Sequence, residues 1–198
     1  MGSNKCAKYL RSLLALELVR KETPITEKNG KKSLYFINDF AFLFWYRFVF
    51  PNITSIIYGN TQTLYEQLIE PQLESYISHI FESICKDYLF EDSIFLKAPF
   101  SYGKIGRWWC GSSSKKKQNE IPIMAIHKES ALFGICQWND HPIGIDTLQN
   151  LVTLGTLFPY PNQWFYLFSR KGFTNELIQF ASNIHNIVLI SFDKMHLV

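Results

Sequence analysis

The side chains best suited to chemistry lie in the second half of the chain. Glu120, His127 and Cys136 are near enough in sequence to form a carboxylate–histidine or a thiol–histidine site. The alternative is a buried structural cysteine with surface acids, and we prefer it. The other histidines show no ligand spacing such as His-Glu-x-x-His. The segment Gly103-Lys-Ile-Gly106 is too short for a phosphate-binding loop, so we expect no ATP hydrolysis. We also expect no bound metal or cofactor.

The charged residues are distributed unevenly, although the net charge is only +3. Residues 1–50 carry nine basic and four acidic side chains, a balance of +5, whereas residues 51–99 carry two and seven, a balance of −5. Residues 100–198 carry nine and six, a balance of +3. Two basic stretches around an acidic middle are compatible with nucleic-acid contact. The four cysteines form no CxxC pair and no signal peptide precedes them, which predicts a reduced, cytoplasmic protein.

The segment from Phe40 to Phe50 is the only one with a membrane-like composition. It is about a dozen residues long, short of the roughly 20 apolar residues that a spanning helix needs. It also contains Arg47. We therefore expect no membrane partner, and we expect the aromatic side chains of this segment to be core residues.

The N-terminal segment predicts a helix followed by a basic hairpin. Residues 4–18 have helical periodicity, with Lys5, Lys8 and Arg11 opposite the leucines. Residues 19–37 read as a β-hairpin around Asn29-Gly30. A recognition helix followed by a wing is the second half of a winged helix-turn-helix, and a helix packed on a hairpin is the alternative. A complete winged helix needs earlier helices, so the leucines must pack on the rest of the chain, a partner or an upstream domain.

The remaining residues alternate between helical and extended patterns. Residues 61–90 predict one or two helices broken near Pro71, with an apolar face along the second. Strands are then predicted at residues 94–97, 102–109, 121–126, 131–138, 163–168 and 187–192. Helices are predicted at residues 145–157 and 174–184, and a loop at residues 110–119. Helices on a mixed sheet make an α/β domain.

Basic side chains near aromatic residues are candidates for contact with a phosphate backbone. Lys104 and Arg107 flank the pair Trp108-Trp109, and Lys115, Lys116 and Lys117 occupy a serine-rich loop. A solvated loop is the alternative for the lysines. The two tryptophans are expected to be packing residues.

Four stretches of this chain resemble one protein family. They are Ile105-Gly-Arg-Trp-Trp109, Glu120-Ile-Pro-Ile-Met-Ala125, Ala131-Leu-Phe-Gly-Ile-Cys-Gln-Trp138 and Tyr166-Leu-Phe-Ser-Arg-Lys-Gly-Phe-Thr174. They look like the C-terminal domain of archaeal-type AAA ATPases, a domain of unknown function related to restriction-endonuclease-like folds. The segments from Leu18 to Lys28 and from Phe44 to Asn52 are similar to the preceding part of the same family. The resemblance implies that full-length relatives carry a P-loop ATPase and the start of a winged helix upstream.

The same resemblance implies a nuclease site that this sequence no longer encodes. Relatives have an aspartate where this chain has Pro122, and Glu-x-Lys where it has Ile135-Cys136-Gln137. Of the family's acidic residues only Glu82 remains, and one carboxylate cannot hold a divalent cation unaided. Because proline removes a ladder donor, we expect the strand of Pro122 to be an edge strand or to begin there.

These observations predict an α/β fold with a restriction-endonuclease-like mixed sheet flanked by helices, preceded by a partial winged-helix segment. We expect residues 1–52 to form the partial winged helix and an aromatic linker helix, and residues 53–198 to form the degenerate nuclease-like domain. The predicted function is a non-catalytic recognition or regulatory module of an archaeal-type ATPase family protein, with DNA and an upstream or separate ATPase domain as partners. The alternatives are an active metal-dependent nuclease or hydrolase with a relocated site, and a pure protein-interaction domain.

Overall fold

The structure, a computed structural model, describes residues 3–27, 32–94, 98–110 and 119–195. The chain divides into two compact units, residues 1–23 with 27–74 and residues 24–26 with 75–198. The first unit thus continues to Glu74, and the domain boundary predicted after residue 52 stays a prediction.

The first unit begins with the predicted helix and hairpin. Helix α1 spans Ser3–Ala15, and strands β1 (Val19–Glu22) and β2 (Leu34–Ile37) pair antiparallel. This confirms the predicted order of helix and antiparallel hairpin, although the helix ends at Ala15 rather than at residue 18 and Asn29-Gly30 lies outside the described residues. The apolar and basic side chains of α1 fall on opposite faces because they follow a helical period.

Short helical segments complete the first unit. The side chain of Asp39 caps α2 (Phe40–Phe44) by accepting a hydrogen bond from the backbone N–H of Phe42, at 2.9 Å. The segments that follow are a π turn at Trp45–Val49, a 3-10 turn at Phe50–Asn52, α3 at Ile53–Ile57, α4 at Thr61–Leu64 and a second π turn at Tyr65–Ile69.

One helical run of the first unit bears on whether the chain could cross a membrane. Among the described residues, Phe40–Ile57 is the one helical run whose 18 residues could cross a membrane by length and composition. The expected length of about a dozen residues was therefore too short, because the helical run continues past Pro51. A single run of this kind is weak support for a membrane span, and the expected absence of a membrane partner stays a prediction.

The second unit is built on a five-stranded mixed sheet. Its strands lie in the order β3 (Lys104–Cys110), β4 (Asn119–His127), β5 (Ser130–Gln137), β6 (Asn162–Ser169) and β7 (Ile187–Ser191). The first three strands pair antiparallel and the last three pair parallel. This confirms the predicted α/β fold with helices on a mixed sheet. Of the extended segment predicted at 94–97, Ile94 ends a helix and residues 95–97 lie outside the described residues.

Helices cover both faces of this sheet. The long helix α5 (Glu70–Ile94) begins in the first unit and packs Phe81, Cys85 and Leu89 onto one face. Helices α6 (Ile145–Gly155) and α7 (Asn175–Ser182) pack on the other face. Neighbouring strand residues alternate between the two cores, as a pleated strand requires. The N-cap predicted at Thr174 is confirmed, since its hydroxyl accepts a hydrogen bond from the N–H of Leu177 at 3.3 Å.

The strand that holds Pro122 is neither an edge strand nor one that begins at the proline. β4 lies between β3 and β5 and begins three residues earlier, so that expectation was wrong. The sheet accommodates the missing N–H in two ways. The register between β3 and β4 shifts between Gly106 and Trp108, and the pairing of β4 with β5 starts only at Ile123, opposite Gly134. A Cβ at Gly134 would lie 3.0 Å from the Cβ of Ile123, so a glycine permits this close approach.

Candidate functional site

The helix glutamate of the predicted nuclease site is held in a largely buried ion pair. Glu82 lies on α5, and its Oε2 accepts a hydrogen bond from Nη2 of Arg107 on β3. The Glu82 side chain is 16% exposed and the Arg107 side chain 12% exposed. Solvent therefore screens the pair little, and each charge depends on the other for compensation. The carboxylate is neutralised by a guanidinium rather than left available for a divalent cation.

The described residues contain no group of three or more His, Cys, Asp or Glu side chains that could hold a metal ion. An oxygen-ligand site for a hard divalent cation needs several carboxylates converging at one point. Glu82 has no such neighbours and has a cation beside it. The arrangement fits an inert carboxylate better than a metal ligand.

The other predicted nuclease positions lie in β4 and β5. Pro122 is buried in β4. Ile135 packs in the core beneath α6 and α7, whereas α5 with Glu82 lies on the opposite face of the sheet. Gln137 ends β5, in register with the fully buried Ser169 on β6. Of these positions, Ile135 lies among the apolar side chains of a core.

The side chain at the centre of the family triplet faces α5. Cys136 packs against the core that contains Cys85. Burial raises the pKa of Cys85, and so do the Cys136 thiol and the negative charge of Glu82. A buried, protonated thiol is a poor nucleophile. His127 ends β4 opposite Ser130, the first residue of β5, whereas Cys136 lies near the other end of β5, so a thiol–histidine pair is not formed.

The raised pKa of Cys85 predicts a specific pH dependence of stability. Below the pKa of an unfolded cysteine, about 8.5, both states carry the proton and the thiol does not affect stability. Above that pH the unfolded chain releases the proton first, so we expect the free energy of unfolding to fall by about 1.4 kcal/mol per pH unit from this group. Urea titrations between pH 7 and 10 should show a steeper decline for the wild type than for Cys85→Ala. The exposed Cys6→Ala is the control and should keep the steeper slope.

The basic candidates fall into three groups. Lys5, Lys8 and Arg11 are exposed on α1, and Lys104 is exposed at the start of β3. Arg107 forms an ion pair with Glu82. The third group, Lys115, Lys116 and Lys117, lies outside the described residues. The expectation that the tryptophans are packing residues is confirmed, since Trp109 is 5% exposed and the Trp108 ring contacts Phe158 edge-on, with centroids 4.9 Å apart.

A family model described as archaeal and bacterial proteins of unknown function, DUF234, matches residues 45–148. This is more than half of the 198-residue chain. The chain belongs to the DUF234 family.

Among curated proteins, this DUF234 chain is similar to an uncharacterized protein of Methanocaldococcus jannaschii, with 33% identity over 135 residues. The match covers 67% of this chain but 29% of the relative, so the chain spans less than a third of that protein's length. No solved structure matches.

Two features of this DUF234 chain were missed by sequence reasoning. Arg107 was read as a surface contact, although it follows the inward-facing Ile105 by two residues in a strand. A charged residue at an inward position of an alternating pattern signals a buried partner. Lys128 was not singled out because its proximity to Lys104 depends on strand pairing.

Proposed function

We propose that this chain is a non-catalytic recognition module that binds nucleic acid through the basic face of α1 and works beside an ATPase domain. One observation carries the non-catalytic part, the ion pair between Glu82 and Arg107. A metal-dependent nuclease needs a free carboxylate cluster to hold its cation. Here the remaining carboxylate is neutralised, and Ile135 stands in an apolar core.

The basic face of α1, defined as Lys5, Lys8 and Arg11, supports the nucleic-acid part. These residues recur at three-residue spacing, so they follow one side of the helix. All three are exposed. The hairpin behind α1 contributes less, because Arg20 is paired with Glu22 at 2.9 Å. A helix that presents several basic side chains fits the phosphate backbone of a duplex. The ATPase association rests on the family resemblance.

Removal of two lysines from α1 tests this proposal. We expect the Lys5→Ala/Lys8→Ala variant to bind duplex DNA more weakly and with a weaker dependence on salt. Each lost phosphate contact reduces the slope of log K against log salt by about 0.9, so the slope should fall by about 2. Fluorescence anisotropy with a labelled duplex, over a range of NaCl concentrations, measures both quantities.

The matched control is Lys171→Ala/Lys194→Ala, which removes the same charge from exposed positions of the second unit. It should keep the wild-type slope within error. Equal losses in the two double variants would show a general effect of net charge and would count against α1 as the binding surface.

A second candidate function is docking on an ATPase domain through apolar contacts. The first unit exposes several large apolar side chains, which is unusual for a surface that meets only water. They include Trp45, Tyr46, Phe50, Ile57 and Tyr58, so the expectation that the aromatic side chains of residues 40–50 are core residues was wrong for the first three. The partner to test is a P-loop ATPase domain of the kind that the family resemblance implies. Calorimetric titration should show binding that Tyr46→Ser/Phe50→Ser weakens; no binding would remove this candidate.

A further inference from the structure

A small basic pocket lies at one end of the sheet of the second unit. It has a volume of about 240 Å³ and is lined by Gly103, Lys104, Ile126, His127, Lys128 and Tyr160. Two lysines, one histidine and one tyrosine thus come from three separate segments of the chain. The pocket is at the opposite end of β5 from Gln137, roughly 20 Å away at the usual rise per residue. It is therefore distinct from the predicted nuclease positions.

Strand pairing brings these side chains together. Lys104 opens β3 and pairs with Ile126 of β4, and the N–H of Gly103 extends the ladder by donating to the carbonyl of Ile126 at 3.1 Å. His127 ends β4, and Lys128 follows it in the tight turn to β5 with a φ of +49°. A Cβ at Gly103 would lie 2.7 Å from Nδ1 of His127. A glycine at this position therefore leaves room for the imidazole to lie against the backbone.

The pocket lysines differ in charge environment from Arg107, Arg170 and Lys171 of the same unit. Arg107 is paired with Glu82, and both Arg170 and Lys171 lie near Asp140, at 3.1 and 3.6 Å. Within the described part of the chain, neither Lys104 nor Lys128 forms an ion pair. Two uncompensated positive charges at one concave surface attract an anion.

We propose that this pocket binds a phosphate group. Lysine ammonium groups are compact point charges that suit phosphate oxygens, and the imidazole of His127 and the hydroxyl of Tyr160 add hydrogen-bond donors. The volume decides the size of the ligand. Pockets for drug-sized molecules occupy about 300–1,000 Å³, so 240 Å³ suits one phosphate group with little attached to it. This proposal does not depend on nucleic-acid binding by α1.

Titration of the whole chain with inorganic phosphate at low ionic strength tests the proposal. We expect saturable binding by calorimetry and a shift of the His127 imidazole signals in NMR spectra. The Lys104→Gln/Lys128→Gln variant should bind at least about tenfold more weakly, because charge-assisted contacts are lost. Both lysines are exposed, so the variant should keep its thermal stability. Lys171→Gln/Lys194→Gln is the charge-matched control and should bind as the wild type does.

Two results would overturn the proposal. One is the absence of saturable phosphate binding, and the other is an equal loss of affinity in both double variants. If phosphate binds as expected, competition with two oligonucleotides, one with a 5′-phosphate and one without it, identifies which kind of phosphate group the pocket binds. Displacement by a 5′-phosphorylated strand alone indicates a terminal phosphate, displacement by both strands indicates backbone phosphate, and displacement by neither indicates a free phosphate. Since free phosphate is the probe, failure here is distinguishable from failure of duplex binding by α1.

Discussion

Arg107→Ala is expected to lower the free energy of unfolding by about 3–5 kcal/mol, the cost of leaving a buried carboxylate without its partner. The Arg107 side chain is 12% exposed and the Glu82 side chain 16% exposed, so water can replace the lost contact only in small part. Urea or thermal unfolding followed by circular dichroism measures the change. Glu82→Ala should show a loss of similar size, because it leaves the buried guanidinium uncompensated.

Replacing both partners separates the ion pair from simple packing. We expect Glu82→Met/Arg107→Met to recover most of the stability lost in either single variant, because the buried charges are removed together. If the free energy of unfolding fell by less than about 1 kcal/mol in each single variant, the ion pair would behave as an exposed one. That result would contradict the buried, neutralised carboxylate on which the non-catalytic assignment depends.

Pro122→Asp is the second variant with a large expected effect. It restores the acid that the family resemblance implies, but Pro122 is buried in a central strand. An unpaired carboxylate placed there should lower the free energy of unfolding by about 3 kcal/mol or more at neutral pH. We expect the same destabilisation with and without millimolar Mg²⁺, since the neutralised Glu82 offers no second metal ligand.

Pro122→Ala is the control for loss of the proline itself. The difference in melting temperature between the aspartate and alanine variants reports the added charge alone. If Mg²⁺ raised the melting temperature of Pro122→Asp but not that of Pro122→Ala, the cation would be bound at the restored acid. Such a result would contradict the view that Glu82 is unavailable to a metal.

Local patterns in the sequence were enough to predict most of the fold. The helical period of α1, the apolar face of α5 and the cap at Thr174 all reflect interactions between residues close in the chain. The strands of the sheet were predicted because their runs of apolar residues are bounded by turn residues. The mixed sheet followed from the alternation of strands and helices.

Three of the features that were missed depend on contacts between distant residues. The Glu82–Arg107 pair joins α5 to β3, and Cys85 meets Cys136 across the same helix–sheet interface. The inward position of Arg107 indicated a buried partner, but the spacing of these residues does not identify which residues they contact. The central position of Pro122 was missed because the register shift between β3 and β4, at Pro122, is a property of the paired strands.

The most direct test of the central claim is a cleavage assay under single-turnover conditions. The whole chain, in excess over a labelled DNA duplex, is incubated with Mg²⁺ or Mn²⁺, and the same samples are measured for binding and for strand integrity. A recognition module should bind the duplex and leave every strand intact. Metal-dependent cleavage that disappears in Glu82→Gln would contradict this account, since it would show that the glutamate paired with Arg107 still serves a metal.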